Sequence, residues 1–210
     1  MRNWPVHDLR LTTPRLTLRL PTFDDLDELA DRAVEGVHDP DRMPFGVPWT
    51  DVPAAELPAK VVLYHLGVMA AWRPEEWCCN FAVVHEGRVI GVQDVKGVDF
   101  ALTREVHTGS WLGRAYQGEG FGTEMRAAVL HLAFAGLGAL TATSSAFLDN
   151  PASLGVSRKL GYRPDGLAVQ SMRGRRATQQ RLRLDREDFG CPVPVEIHGL
   201  AACLPHFGLE

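Results

Sequence analysis

The run Gln117-Gly118-Glu119-Gly120-Phe121-Gly122-Thr123 carries the sharpest chemical signal in the chain. Its alternating glycines let the backbone come close to a ligand, because no Cβ stands in the way. Directly after it, Met125, Ala128, Val129 and Leu132 recur at helical spacing, which predicts a helix from about Thr123 to Ala135. A helix opens with unpaired N–H groups and a partial positive charge, so loop and helix together suit a phosphate, and a pyrophosphate in particular. A second candidate is His107. It lies four residues before Trp111 on an expected strand, so alternation puts both side chains on one face. An imidazole with its ordinary pKa of about 6.5 can take a proton near neutral pH, and Asp94 and Glu105 offer carboxylates for the same task.

Other phosphate-binding patterns do not fit this loop. A P-loop needs Gly-Lys-Ser/Thr at its end, and the dinucleotide fingerprint Gly-x-Gly-x-x-Gly needs its third glycine one residue later than Gly122. The spacing Gly118-x-Gly120-x-Gly122 does match the first motif of S-adenosylmethionine methyltransferases. That motif expects an acidic residue two positions before the first glycine, closing an apolar strand; Tyr116 stands there, after Gly113-Arg114-Ala115.

The elements that must position these residues alternate along the chain. Leu16 to Leu20 predicts a strand, and Thr22 caps a helix to about Val34 with Leu26, Leu29, Ala30 and Ala33 on one face and Gly36 closing it in the left-handed conformation. A Pro-, Asp- and Gly-rich loop from Val37 to Pro58 precedes a helix to Ala70, expected to bury Val61, Val62, Leu66 and Met69. Phe81–Val84 and Val89–Val92 form a hairpin across His85-Glu86-Gly87-Arg88, and His107–Leu112 a further strand. After the glycine loop and its helix come a strand from Leu140 to Phe147 and a helix from Pro151, with Asn150 as cap, ending at Gly161. Strands near Leu167–Arg173 and Thr178–Leu184 complete the pattern. The order β-α-α-β-β-β-α-β-α-β-β belongs to one mixed sheet with helices on its faces, residues 1–189, followed by a C-terminal extension, 190–210, packed on the domain or a neighbour.

Taken with Asn150-Pro151-Ala152-Ser153 and Lys159-Leu160-Gly161-Tyr162, the glycine loop resembles the GNAT superfamily of N-acetyltransferases. Thr13-Pro14-Arg15-Leu16-Thr17-Leu18-Arg19 and Gly109-Ser110-Trp111-Leu112 resemble the opening and fourth strands of its RimJ/RimL-like branch. The resemblance implies an α/β (α+β) GNAT fold, a mixed, mostly antiparallel sheet with helices on both faces, splayed between the fourth and fifth strands. It implies acetyl-coenzyme A as cofactor, with direct attack by a primary amine, a protein N-terminus or a small molecule, on the thioester. Gln117, Gly118, Gly120, Phe121, Gly122 and Thr123 would meet the pyrophosphate, and Asn150 the pantetheine. A bulge in the fourth strand would turn the backbone of Trp111 and Leu112 to the pantetheine and acetyl carbonyl. Ser153 would lie along the pantetheine as proton donor to the departing thiolate, and His107, Asp94 or Glu105 would be the general base. Phe45 and Trp49 would wall the acceptor pocket or anchor their loop. The tyrosine that many members place four residues before the second motif's glycine is Ser157 here, and Tyr162 is expected in the core. A catalytically silent acyl-coenzyme A-binding module is the alternative reading.

Composition sets the remaining bounds. The 210 residues are 45% hydrophobic and 23% charged, with a formal net charge of −4, which argues against general attraction to nucleic acid. Arg173, Arg175, Arg176, Arg181 and Arg183 cluster as a solvated face or an acidic docking point. No apolar run approaches the roughly 20 residues that cross a bilayer, and Met1-Arg2-Asn3-Trp4-Pro5 lacks a signal-peptide core, so a cytoplasmic protein without a membrane partner is expected. Cys78, Cys79, Cys191 and Cys203 match neither a disulfide framework nor a metal-ligand spacing, so free thiols and no metal are expected. A homodimer is possible.

Overall fold

The computed structural model describes residues 1–210. Nine strands form one sheet: β1 (Arg10–Thr12), β2 (Thr17–Arg19), β3 (Glu76–His85), β4 (Arg88–Val98), β5 (Glu105–Leu112), β6 (Thr141–Phe147), β7 (Arg163–Met172), β8 (Arg175–Asp185) and β9 (Glu196–His198). Their spatial order is β7-β8-β6-β5-β4-β3-β2-β1-β9. Every neighbouring pair is antiparallel except β5 with β6. That parallel pairing spans only Glu105↔Thr141 to His107↔Thr143, beyond which the two strands diverge. This is the expected splay.

The helices cover both faces. On one, α1 (Phe23–Glu35) opens with a capping box in which Thr22 and Asp25 satisfy each other's backbone N–H. Leu26, Leu29, Ala30 and Ala33 are buried as the spacing predicts. Gly36 ends the helix at φ 111°, ψ 142°, an extended positive-φ conformation and not the left-handed helical one. Beside α1, α2 (Leu57–Ala70) buries Leu57, Val61 and His65, whereas Val62, Leu66 and Met69 are only half-buried. The inward face is the expected one, since Val61, Val62 and Leu66 pack on the α1–α2 core, but it also takes in His65, whose Nδ1 lies 3.0 Å from Asn80 Nδ2.

On the other face a short helix, α3 (Phe100–Thr103), precedes β5, and α4 (Phe121–His131) runs into a wider helical turn, Leu132–Gly136. With α5 (Pro151–Lys159) these cover the larger core, which includes Phe81, Ile90, Val95, Val106, Met125, Ala128 and Leu132. The β3–β4 hairpin turns through Glu86 (φ 49°) and Gly87 (φ 77°), a two-residue turn with both φ positive. Both strands run well past the apolar segments that signal them.

Two short strands escape the sequence. β1 and β9 have three residues each, too few for periodicity to register; β1 is held between β2 and β9, and β9 forms the sheet edge by pairing with β1. The C-terminal segment therefore adds a strand. It also contributes to the core: Cys203 and Phe207 are fully buried, and Trp72 Nε1 donates to His206 O at 2.8 Å. No helix is long and apolar enough to cross a membrane.

Candidate functional site

The glycine loop folds as a cradle of free donors. Gly118 and Gly120 hold φ of 87° and 86°, values a side chain would strain, and Gly120 is the N-cap of α4. The backbone N–H groups of Gly118, Glu119, Gly120, Phe121 and Gly122 find no acceptor in the protein. Gln117 and Thr123 differ from the expectation, for their N–H groups bond to Arg114 O and Gly120 O. The Gln117 amide is also spent, on Val37 O and Leu112 O at 2.8 Å each, so this residue fixes the loop's path. Phe121 contributes only its backbone: its ring is buried under the Arg15 guanidinium, 4.4 Å from the centroid.

The opening motif Thr13-Pro14-Arg15 acts as the pin for this loop. Arg15 pairs with Glu124 in the first turn of α4 (2.6 Å) and donates to Glu119 O (3.0 Å), while Thr13 Oγ1 donates to Glu124 at 2.7 Å. Glu124 is almost fully buried, while Arg15 covers it from a partly exposed position.

The loop leads to the gap between β5 and β6. The expected bulge is absent: β4 and β5 keep one register from Gly91↔Leu112 to Gly97↔Val106, and divergence from β6 alone frees the β5 edge. Gly113 N donates to Ile90 O, so by strand alternation the backbone of Trp111 also turns to β4, and that of Ser110 and Leu112 faces the gap. This corrects the role assigned to the Trp111 backbone. Across the gap, Asn150 caps α5 by accepting Ser153 N–H on Oδ1 at 3.1 Å, and its NH₂ group has no partner in the protein. The Ser153 hydroxyl is likewise unpaired, whereas Ser157 donates to Ser153 O and accepts from Arg126. Tyr162 is core, with its hydroxyl 3.2 Å from Thr108 Oγ1.

On the α1–α2 face, β4 and β5 present Asp94, His107 and the Trp111 indole. Asp94 accepts the Gly109 N–H at 2.7 Å, and a Cβ at Gly109 would lie 2.7 Å from its Oδ2, so glycine is what lets the carboxylate cross the neighbouring strand. Burial pushes the Asp94 pKa up to about 6 against the opposing pull of the Gly109 N–H, Lys96 and Arg126. His107 lies diagonally across, its Nδ1 3.2 Å from Thr143 Oγ1, and burial, with Lys96 and Arg126, holds its pKa down at about 4. Glu105 is exposed and 3.8 Å from Arg183, away from this face's enclosed groups.

The long loop closes over that face. Phe45, Trp49 and Trp111 pack in series as tilted rings, with centroids 5.2 Å and 5.6 Å apart, so the two loop aromatics anchor the loop on β5. Arg173, at the tip of β7–β8, clamps Asp51 at 2.7 Å and 2.6 Å and donates to Pro40 O at 2.8 Å. One member of the arginine cluster thus has a structural task.

Sequence reasoning passed over Ser110 and Arg126. Arg126 is 4% exposed. Its signal was an α4 run that is apolar nearly all round, which buries whatever charge it contains.

The pattern of the acetyltransferase (GNAT) domain family matches residues 15–163, well over half of the chain. The fold is also that of several solved structures. Mycobacterium smegmatis RimJ in complex with a coenzyme A disulfide superposes with a TM-score of 0.68 at 16% identity, covering 87% of this chain and 90% of that one. RimL, a ribosomal L7/L12 alpha-N-protein acetyltransferase bound to coenzyme A, gives 0.63 at 16% identity, with 82% and 95% covered. A spermidine N-acetyltransferase chimera combining Vibrio cholerae SpeG and hSSAT gives 0.61 at 19% identity, with 82% and 96% covered. The free donors of the glycine loop fit a coenzyme A pyrophosphate, and the chain belongs to the GNAT acetyltransferase family, enzymes that use acetyl-coenzyme A.

Proposed function

We propose that this enzyme moves an acetyl group from coenzyme A to a primary amine, a protein N-terminus or a small molecule, by direct attack. The observation that carries the reading is the pairing of two half-sites across the sheet. Free N–H groups at Gly118–Gly122 form one, and an enclosed carboxylate, Asp94, forms the other. Coenzyme A, when bound, supplies an activated thioester. The loop holds its pyrophosphate, the Asn150 NH₂ group and the β5 edge at Ser110 and Leu112 hold the pantetheine, and the Ser153 hydroxyl is free to donate to sulfur.

The base comes from the α1–α2 face. A carboxylate near pKa 6 is ionised at neutral pH yet basic enough to accept a proton, so Asp94 is better matched than His107, whose neutral imidazole near pKa 4 holds a proton weakly. His107 remains the second member of the pair, able to relay a proton through water. The acceptor enters over Phe45, Trp49 and Trp111.

Thiol release from acetyl-coenzyme A with a panel of primary amines tests the reading. In the wild type kcat/KM should rise through about pH 6 as Asp94 ionises. Asp94→Asn should lose about 10²-fold and flatten that limb, while His107→Gln should cost less. If both variants stay within about twofold of wild type, the base lies elsewhere. Release with no amine in the panel would turn the reading toward a binding module.

A further inference from the structure

The Arg126 guanidinium is buried without a carboxylate. It forms no ion pair, and its hydrogen-bond partners are two neutral hydroxyls: Nη1 donates to Ser157 Oγ at 3.0 Å and Nη2 to Ser110 Oγ at 3.2 Å. Its Nε is buried and has no partner. Glu124 and Asp25, by contrast, have ion-pair partners in Arg15 and Arg19, and the enclosed Asp94 acts on Arg126 only through the field, with no ion pair between them. A buried cation left in this state is costly unless an anion arrives to meet it.

Its place says which anion. Ser110 stands on the β5 edge that faces the gap, and Ser157 lies one turn beyond Ser153 on α5. The guanidinium therefore spans the two elements that flank the gap, on the side where α4 begins with the free N–H groups of the glycine loop. We propose that Arg126 is the catalytic cation that receives the coenzyme A thiolate as it leaves. This rests on the reading of the glycine loop and gap given above.

The step balances without a further reactant. The acceptor nitrogen, already deprotonated, bonds to the acetyl carbon; the C–S bond breaks and its electron pair goes to sulfur. The second nitrogen proton passes to Asp94 or solvent. Arg126 stays protonated throughout and neutralises the sulfur charge, with the Ser153 hydroxyl as a second donor, and solvent protonates the thiolate after release. An arginine suits this task because it keeps its charge even where burial lowers its pKa.

The test measures the acidity of the coenzyme A thiol while bound. Thiolate absorbance is followed against pH in the wild-type complex with coenzyme A, and the matching titration with desulfo-coenzyme A is subtracted. The protein's own thiols interfere little, since burial raises the pKa of Cys78, Cys79, Cys191 and Cys203. The thiolate-to-thiol ratio at pH 8 should be at least about tenfold higher in the wild-type complex than in free coenzyme A, a fall of about one pKa unit. Arg126→Met should lose that excess, and Arg126→Lys should keep part of it.

A bound thiol that titrates like free coenzyme A overturns the proposal on the wild type alone, whether or not Arg126→Met folds. That result would fit a purely internal role, in which Arg126 only ties α4 to Ser110 and Ser157. An excess unchanged in Arg126→Met overturns it too. Failure of coenzyme A to shift the melting temperature sinks the glycine-loop reading and this proposal together; binding with an ordinary thiol sinks this one only.

Discussion

On the cofactor side of the β5–β6 gap, the ligand groups are backbone N–H groups aimed by the positive φ of Gly118 and Gly120 within one loop. On the proposed acceptor side they are side chains from β4, β5 and the 37–56 loop, held by pins such as Arg173 with Asp51. The first arrangement depends on local conformation, set by its glycines and held by a few side-chain pins, Gln117 and Arg15 with Glu124. The second depends on strand register and on contacts between residues far apart in sequence. A substitution on one side should therefore leave the other side's function measurable.

The largest expected effect comes from breaking the cradle. Wild type with coenzyme A at about a hundred times its dissociation constant should gain roughly 2.7 kcal/mol, a rise in melting temperature of about 5–10 °C for a chain of this size. Gly120→Glu should abolish the rise, since it puts a side chain at φ 86° and a negative charge beside the phosphates. A retained shift would place the pyrophosphate elsewhere.

Asp94→Asn should act on the other side alone, keeping the coenzyme A shift while turnover falls about 10²-fold. It should also change stability in a pH-dependent way. The folded pKa near 6 lies above the ordinary 3.8, so the folded state holds this proton longer than the unfolded one and loses stability as pH rises from about 4 to 6. Above that window the cost persists. Asparagine removes it, so at pH 7.5 the variant should be more stable by on the order of 1–3 kcal/mol, and at pH 4 no more stable. Denaturant melts at the two pH values check the sign.

Smaller effects sharpen the contrast. Arg15→Ala frees Glu124 and the Glu119 carbonyl from their pin, and coenzyme A should bind about tenfold more weakly, by calorimetry, with the acceptor KM little changed. Arg173→Ala should do the reverse, raising the acceptor KM about two- to fivefold with coenzyme A affinity intact. Its effect on stability should be small, because the pair is exposed to solvent.

The same contrast explains what the sequence disclosed. The glycine loop, the Asn150 cap and the α1 face were legible because each is written in a few adjacent residues whose types dictate backbone conformation. The backbone roles on β5 were not, because which residue faces the gap is set by pairing with β4: alternation gave Ser110 and Leu112, and the expected bulge does not exist. The burial of His65 on the α2 face was not legible, since its partner Asn80 comes from β3. Likewise β9 exists only through its pairing with β1, nearly the whole chain away. Arg126 was hidden by its neighbours, for a charge in an apolar helix reads as an exposed edge until α5 and β5 are seen to enclose it.

Amide hydrogen exchange across residues 117–123, with and without saturating coenzyme A, tests the central claim most directly. The five N–H groups from Gly118 to Gly122 have no acceptor in the free protein, so they should exchange fast alone and become strongly protected in the complex. The Gln117 N–H, already bonded to Arg114 O, should change little. Coenzyme A binding that leaves Gly118–Gly122 unprotected, with protection elsewhere, would contradict the account.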